Sequence, residues 1–399
     1  MSPVCRIVML GSLSAALPLA LTCNASAAPP TVKFSKKLLA VNLNEGCDVA
    51  DVNRDGKPDV IAGPLWYAAP DFVPRPIRDI PEVGNGEYVD TNGDHAYDVN
   101  GDGWVDVVSI GFFGTELCWF ENPGAEGYFP ARAWKKHVLA TTNTRNEAIA
   151  LYDFDGDGTP EVFVNSWDKK APVLVWRLTK NEKGEPAAEQ FVLGDMGGGH
   201  GFGIGDLNGD GRADVLVEQG WYEQPAEGPF AKVWKHHLQP ALPHASCPFL
   251  VMDITGDGRS DIVWGKGHDY GLYWWEQTEP KADGELSFAE HTIDESWSQP
   301  HNLVWADLDG DGKGELVAGK RVRAHGGKDP GGTEPAVVFY YTWDPSAEQF
   351  TRHEISGPGG DVGGGMQLRV ADLNGDGRPD ILAPGKSGTY ILFNEGSGK

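Results

Sequence analysis

Asp206-Leu207-Asn208-Gly209-Asp210-Gly211-Arg212-Ala213-Asp214 places oxygen-bearing side chains at its first, third, fifth and ninth positions and a glycine at its sixth. The same spacing, D-x-[N/D/T]-x-D-G-x-x-[D/E], also opens at Asp51, Asp98, Asp153, Asp253, Asp307 and Asp372, giving seven copies at intervals of 47, 55, 53, 47, 54 and 65 residues. Short apolar runs flank each copy, such as Leu303-Val304-Trp305-Ala306 before the sixth and Ile262-Val263-Trp264 after the fifth, so the loops join β-strands. That period is the size of one four-stranded blade, and seven repeats predict an all-β, seven-bladed β-propeller.

Oxygen donors at this alternation wrap one small hard cation, and their number and flexibility favour Ca²⁺ over Mg²⁺. The expected ligands are Asp51, Asn53, Asp55 and Asp59; Asp98, Asn100, Asp102 and Asp106; Asp153, Asp155, Asp157 and Glu161; Asp206, Asn208, Asp210 and Asp214; Asp253, Asp257 and Asp261; Asp307, Asp309, Asp311 and Glu315; and Asp372, Asn374, Asp376 and Asp380. Thr255 stands at position 3 of the fifth loop, which should bind most weakly. An EF-hand shares the opening but needs a bidentate glutamate at position 12, where Ala62 and Ser109 stand, and it runs into helices. The seven loops carry 23 acidic side chains at these positions, which repel one another unless cations sit among them. Up to seven Ca²⁺ are therefore expected.

Residues 1–27 read as a signal peptide: Arg6, an apolar stretch from Ile7 to Leu21, and the cleavage site Ala25-Ser26-Ala27. Residues 28–399 would form the single propeller, secreted or periplasmic, with Cys23 in a poor lipobox and no later stretch apolar enough to span a membrane. Cys47, Cys118 and Cys247 are too few and too scattered for a disulfide framework. A net charge of −25 repels nucleic acid. Oligomeric state is not legible.

Each repeat divides into strands A to D, with the acidic loop between A and B. Strand C is aromatic and often ends in an acid, as in Leu117-Cys118-Trp119-Phe120-Glu121 and Leu272-Tyr273-Trp274-Trp275-Glu276. Strand D carries an aromatic-x-x-His pattern ending at His137, His237, His291 and His353, read as blade packing rather than chemistry. The last repeat stops short of a strand D. Phe34-Ser35-Lys36-Lys37-Leu38 matches that pattern, with Lys37 in place of His, and pairing it with Tyr390-Ile391-Leu392-Phe393 would close the ring and remove an exposed edge.

With Phe202-Gly203 before Gly205-Asp206 and Leu382-Ala383-Pro384 after the last loop, the chain resembles the FG-GAP/VCBS repeat family, including the propellers of integrin α chains. The resemblance implies the fold, calcium in the A–B loops at the bottom face, and a top face built by B–C and D–A loops. The FG pair is clear in one blade only, and the sequence shows no counterpart of an integrin's membrane anchor. The strand C phrases also give a partial resemblance to the propeller of aldos-2-ulose and anhydrofructose dehydratases.

Six residues before each loop stand Glu45, Asn92, Glu147, His200, Cys247, His301 and Met366, a ring expected at the channel mouth. His200, His301, Glu147 and, from a B–C loop, His268 are the candidate catalytic residues. Arg321, Arg323 and Tyr270 are candidates for substrate binding, and His95 and His244 are weaker ones. In an alternative version His200, Cys247 and His301 would ligate one transition metal with a fourth position open. The leading reading is a protein that binds or processes a carbohydrate at its top face, as a lyase or dehydratase. The alternatives are a non-catalytic glycan- or protein-binding module, or a structural adhesion repeat with an extracellular protein ligand.

Overall fold

The computed structural model describes residues 31–397 apart from 85, 129–131 and 143, so the expected signal peptide lies outside the described residues. Seven four-stranded antiparallel sheets account for nearly all regular structure, with single helical turns at Gly124–Gly127 and Ala324–Gly327. The sixth blade is typical: strands A to D are Pro300–Ala306, Glu315–Lys320, Val338–Asp344 and Gln349–Ser356. Strand B is buried throughout, because sheets cover both its faces, whereas strand D is largely exposed at the rim.

Seven apolar clusters hold the blades together, one per interface. Val215 and Tyr222 of blade four pack on Phe163 and Val175 of blade three. Leu382 and Ile391 of blade seven pack on Val60 and Tyr67 of blade one, so the ring is closed by the same kind of contact that builds it. Burying each large apolar side chain stabilises by about 1.5–3 kcal/mol.

Val32–Ala40 completes blade seven, with Lys36, Lys37 and Leu38 opposite Leu392, Ile391 and Tyr390. Lys37 departs from the strand D histidine because it reaches the next blade, its Nζ lying 4.8 Å from the centre of the Phe72 ring and donating to the Asp71 carbonyl at 3.1 Å. The four strand D histidines stack on strand C aromatics: His137 on Trp119, His237 on Trp221, His291 on Trp274 and His353 on Tyr340, with centroids 4.0–4.5 Å apart. The Nε2 atoms of the first three bond the strand C acids Glu121, Glu223 and Glu276, which accounts for the acid ending that strand.

Candidate functional site

Antiparallel alternation puts the seven A–B loops on one face and the B–C and D–A loops on the other. On the acidic face the loops fold alike. Asp206 accepts the amides of Gly209, Asp210 and Gly211 at 2.8–3.0 Å, and Gly211 takes φ +85°, open to glycine at little cost. Position 9 does something the spacing did not reveal. Asp214 is fully buried and accepts the Leu207 amide on one oxygen and the Gln224 amide of strand C on the other, both at 3.0 Å. Asp59, Asp106, Asp261 and Asp380 make the same clamp. Burial pushes the Asp214 and Asp106 carboxyls up to about 7.

These five aspartates are therefore clamps between loop and strand C, with both oxygens already engaged by backbone amides. Glu161 and Glu315, one methylene longer, bond only the loop amides of Phe154 and Leu308, and Glu161 Oε1 is buried with no hydrogen-bond partner. Asp153, Asp155 and Glu161 bring ligand oxygens within 4.8 Å of one another, as do Asp307, Asp309 and Asp311, an all-oxygen set suited to a hard cation.

On the opposite face the ring from Glu45 to Met366 is buried and no two adjacent members are alike. His200 Nδ1 lies 2.6 Å from the Ala245 carbonyl, which can only accept, so Nδ1 carries the proton and Nε2 a lone pair. His268 Nδ1 donates to the Asp329 carboxylate at 2.8 Å, which fixes the same tautomer. Arg321 Nη1 lies 3.3 Å from His301 Nε2, making that nitrogen an acceptor as well. All three lone pairs converge: His200 Nε2 is 2.8 Å from His268 Nε2 and 3.1 Å from His301 Nε2, with Glu147 Oε1 at 3.4 Å.

Burial, reinforced by neighbouring cations, holds all three imidazoles well below the usual histidine range, with His268 at about 3. Burial also pushes the Glu147 carboxyl up to about 7. Gly267 makes room for the cluster, since a Cβ there would sit 2.9 Å from His200 Cε1 and 3.2 Å from His301 Cδ2. The Asp329 loop is pinned by Lys320, a buried ammonium that donates to the Gly331 carbonyl at 2.8 Å. A cavity of about 270 Å³ opens over the cluster, walled by Tyr88, Phe112, Phe113 and Trp167.

Residues 98–164, 153–217 and 253–318 match the family model described as FG-GAP-like repeat. These are FG-GAP-like repeats. The propeller is similar to cartilage acidic protein 1 of Xenopus tropicalis, 27% identical over 157 residues, which is 34% of this chain and 24% of that protein. The matching stretch thus spans about a quarter of the relative's length. Its fold is similar to that of BBS1N, solved in complex with ARL6DN, with a TM-score of 0.51 and 11% identity over 90% of this chain and 96% of that one. No helix among the described residues is long and apolar enough to cross a membrane.

Within the ring, the structure brings His200, His268, His301 and Glu147 together and leaves other expected site residues out. The Cys247 thiol lies with Glu147 and His200, whereas His268 is the side chain that stands with His200 and His301. Arg321 lines the cavity, but Nε and Nη2 bind Glu45 at 2.7 and 2.9 Å and Nη1 faces His301, so all three nitrogens are engaged internally. Arg323 is exposed and pairs with Glu87 at 3.5 Å, and half-buried Tyr270 bonds Glu334. His95 lies deeper in the channel, bonded to the Ile149 carbonyl at 3.0 Å, and the His244 ring stands 6.3 Å from that of His200. Phe112, Trp167 and Arg145 were missed. A second offset, fourteen residues after the motif aspartate, selects Phe112, Trp167, Gly267, Arg321 and Lys386 in five blades, and Leu65 and Gly220 at the start of strand C in the other two.

Proposed function

We propose that the top of this FG-GAP propeller holds one transition-metal ion on the Nε2 atoms of His200, His268 and His301 and works as a carbohydrate lyase or dehydratase. The observation that carries the reading is the convergence of three imidazole Nε2 atoms, with the His200 and His268 tautomers set through Nδ1 and Arg321 at 3.3 Å from His301 Nε2 as the group an ion would displace. Facing lone pairs at about 3 Å repel unless a cation lies among them, and three histidines, two of them held through Nδ1 by the Ala245 carbonyl and the Asp329 carboxylate, make a zinc-type set with an open position. A metal held by His200, His268 and His301 would supply Lewis acidity towards a carbonyl or carboxylate oxygen. Glu147 takes a proton from the carbon beside that group, Asp329 and Ala245 hold the ligand tautomers, and the aromatic wall excludes water.

On the opposite face we assign calcium to the acidic loops, most firmly the third, where the unpartnered Glu161 oxygen faces Asp153 and Asp155. The leader-like residues 1–27 support export.

Protein purified without added metal and dialysed against metal-free buffer should carry about one transition ion per chain by mass spectrometry. His268→Ala should lose it. The wild type should generate an ultraviolet-absorbing enone or unsaturated uronate from oxidised sugars or polysaccharides. If the wild type carries no more metal than His268→Ala, and neither turns over such substrates, the reading falls. A non-catalytic glycan- or protein-binding module then takes its place, as the FG-GAP repeats and the aromatic-walled cavity favour.

A further inference from the structure

The histidine cluster is reached from two sides. The cavity walled by Tyr88 and Phe112 touches His268, and a second cavity of about 640 Å³, lined by Lys169, Lys170 and Glu218, touches His200. Trp167 and Arg145 line both, so the indole is a partition and the guanidinium is shared. The Trp167 ring stands edge-on to His200 at 6.0 Å, and its amide is tied to the Arg145 carbonyl at 3.0 Å.

Arg145 is exposed, with its guanidinium 5.6 and 5.2 Å from the ring centres of Phe112 and Phe113, and no carboxylate pairs with it among the described residues. Of the acids in the second cavity, Glu218 is held by Lys169 and accepts the His200 amide at 2.9 Å, and Asp168 accepts the Lys170 amide at 3.0 Å. Arg145 and Lys170 therefore stand as cations without an acidic partner on a chain of net charge −25, where an unpaired cation at a cavity mouth has an anionic ligand as its natural complement.

We infer that the ligand is an acidic oligosaccharide of uronic acid units that straddles Trp167, with one carboxylate on Arg145 and the reacting unit over the histidines. This rests on the lyase reading for its chemistry but not for its binding. A pyranose ring offers an apolar C–H face to flat aromatic walls and polar groups at its edge, matching aromatic platforms beside isolated cations better than an acidic peptide does. A uronate unit also suits Glu147. The C5–H proton goes to the Glu147 carboxylate, its electron pair forms the C4=C5 double bond, the C4–O4 bond breaks, and the departing oxygen takes a proton from water. Glu147 then returns its proton to solvent, so no oxidant or reductant is required.

The test is calorimetric binding of a 1,4-linked tetrauronide, the corresponding neutral tetraglucoside and a tetraglutamate peptide, on metal-loaded and metal-stripped protein. The tetrauronide should bind at least about tenfold tighter than either comparator, and more weakly as salt rises. Arg145→Gln should lose about tenfold for the tetrauronide alone, and Arg145→Lys, which keeps the charge, should lose less. Equal binding of charged and neutral sugars, an equally tight peptide, or an unchanged Arg145→Gln would overturn the inference. Tetrauronide binding with neither metal nor turnover would sink the lyase reading and leave this one standing. Turnover confined to neutral sugars would do the reverse.

Discussion

The two faces of the propeller are built from the same blades by opposite rules. At the bottom, seven loops share one turn in which the first aspartate accepts the amides of positions 5 and 6. At the top, equivalent positions hold Glu45, Asn92, Glu147, His200, Cys247, His301 and Met366, no two adjacent ones alike. Repetition marks what every blade needs in order to fold. Departure from it marks what only one place in the molecule needs, because a histidine that merely fills space recurs, as the four strand D histidines do.

The comparison breaks most easily by stripping the bottom face. If the loops are calcium sites that form only when strands A and B are in place, chelation should lower the thermal midpoint by well over about ten degrees. An unchanged midpoint in EDTA would reduce those loops to self-sufficient turns.

Next in size, Asp214→Ala removes both acceptors of a buried clamp and strands the Leu207 and Gln224 amides, a loss of about 2–4 kcal/mol in denaturant unfolding. Asn208→Ala on the exposed loop should cost under about 1 kcal/mol. Equal losses would mean that position 9 serves only the cation.

A smaller effect separates channel from rim by pH. Burial lowers the His95 pKa from 6.5 to about 4, so between those values the unfolded chain binds the extra proton and the fold does not. The associated stability is present above pH 6.5 and lost as pH falls towards 4. Because the ring borders the channel, screening keeps the loss to about 1 kcal/mol, and His95→Gln should flatten it. Rim histidine His237, stacked on Trp221 and bonded to Glu223, offers the control, and an equal flattening in His237→Gln would erase the distinction.

The smallest expected effect lies in the fifth loop. Asn208 Oδ1 accepts the Asp210 amide at 3.1 Å, whereas Thr255 Oγ1 lies 3.5 Å from Asp253. Thr255→Asn should raise the calcium affinity of that loop a few-fold by titration calorimetry, consistent with about 1 kcal/mol for one hydrogen bond. No gain would show that position 3 is interchangeable.

Much of the fold was legible because its determinants are local. A nine-residue loop signal, apolar runs on either side and a blade-sized period fix the number and order of strands, and the strand D pattern located the closing strand at Phe34–Leu38 without reference to anything distant. The height of the top ring was legible for the same reason, since a fixed offset along strand A sets depth in the channel.

Direction was not. Which ring members meet depends on blade angle and on B–C loops of unequal length, neither encoded near the residues concerned. His200 meets His268 and His301 across 68 and 101 residues, and Arg321 meets Glu45 across 276. Sequence offset therefore grouped Cys247 with the histidines, while the fold turned its thiol towards Glu147 and brought His268 in from a loop. A seven-bladed ring with one acidic and one varied face follows from period and alternation, which are properties of neighbouring residues. The meeting of three imidazole Nε2 atoms and the engagement of Arg321 by Glu45 follow from closure of the ring, which brings distant blades and loops to one point.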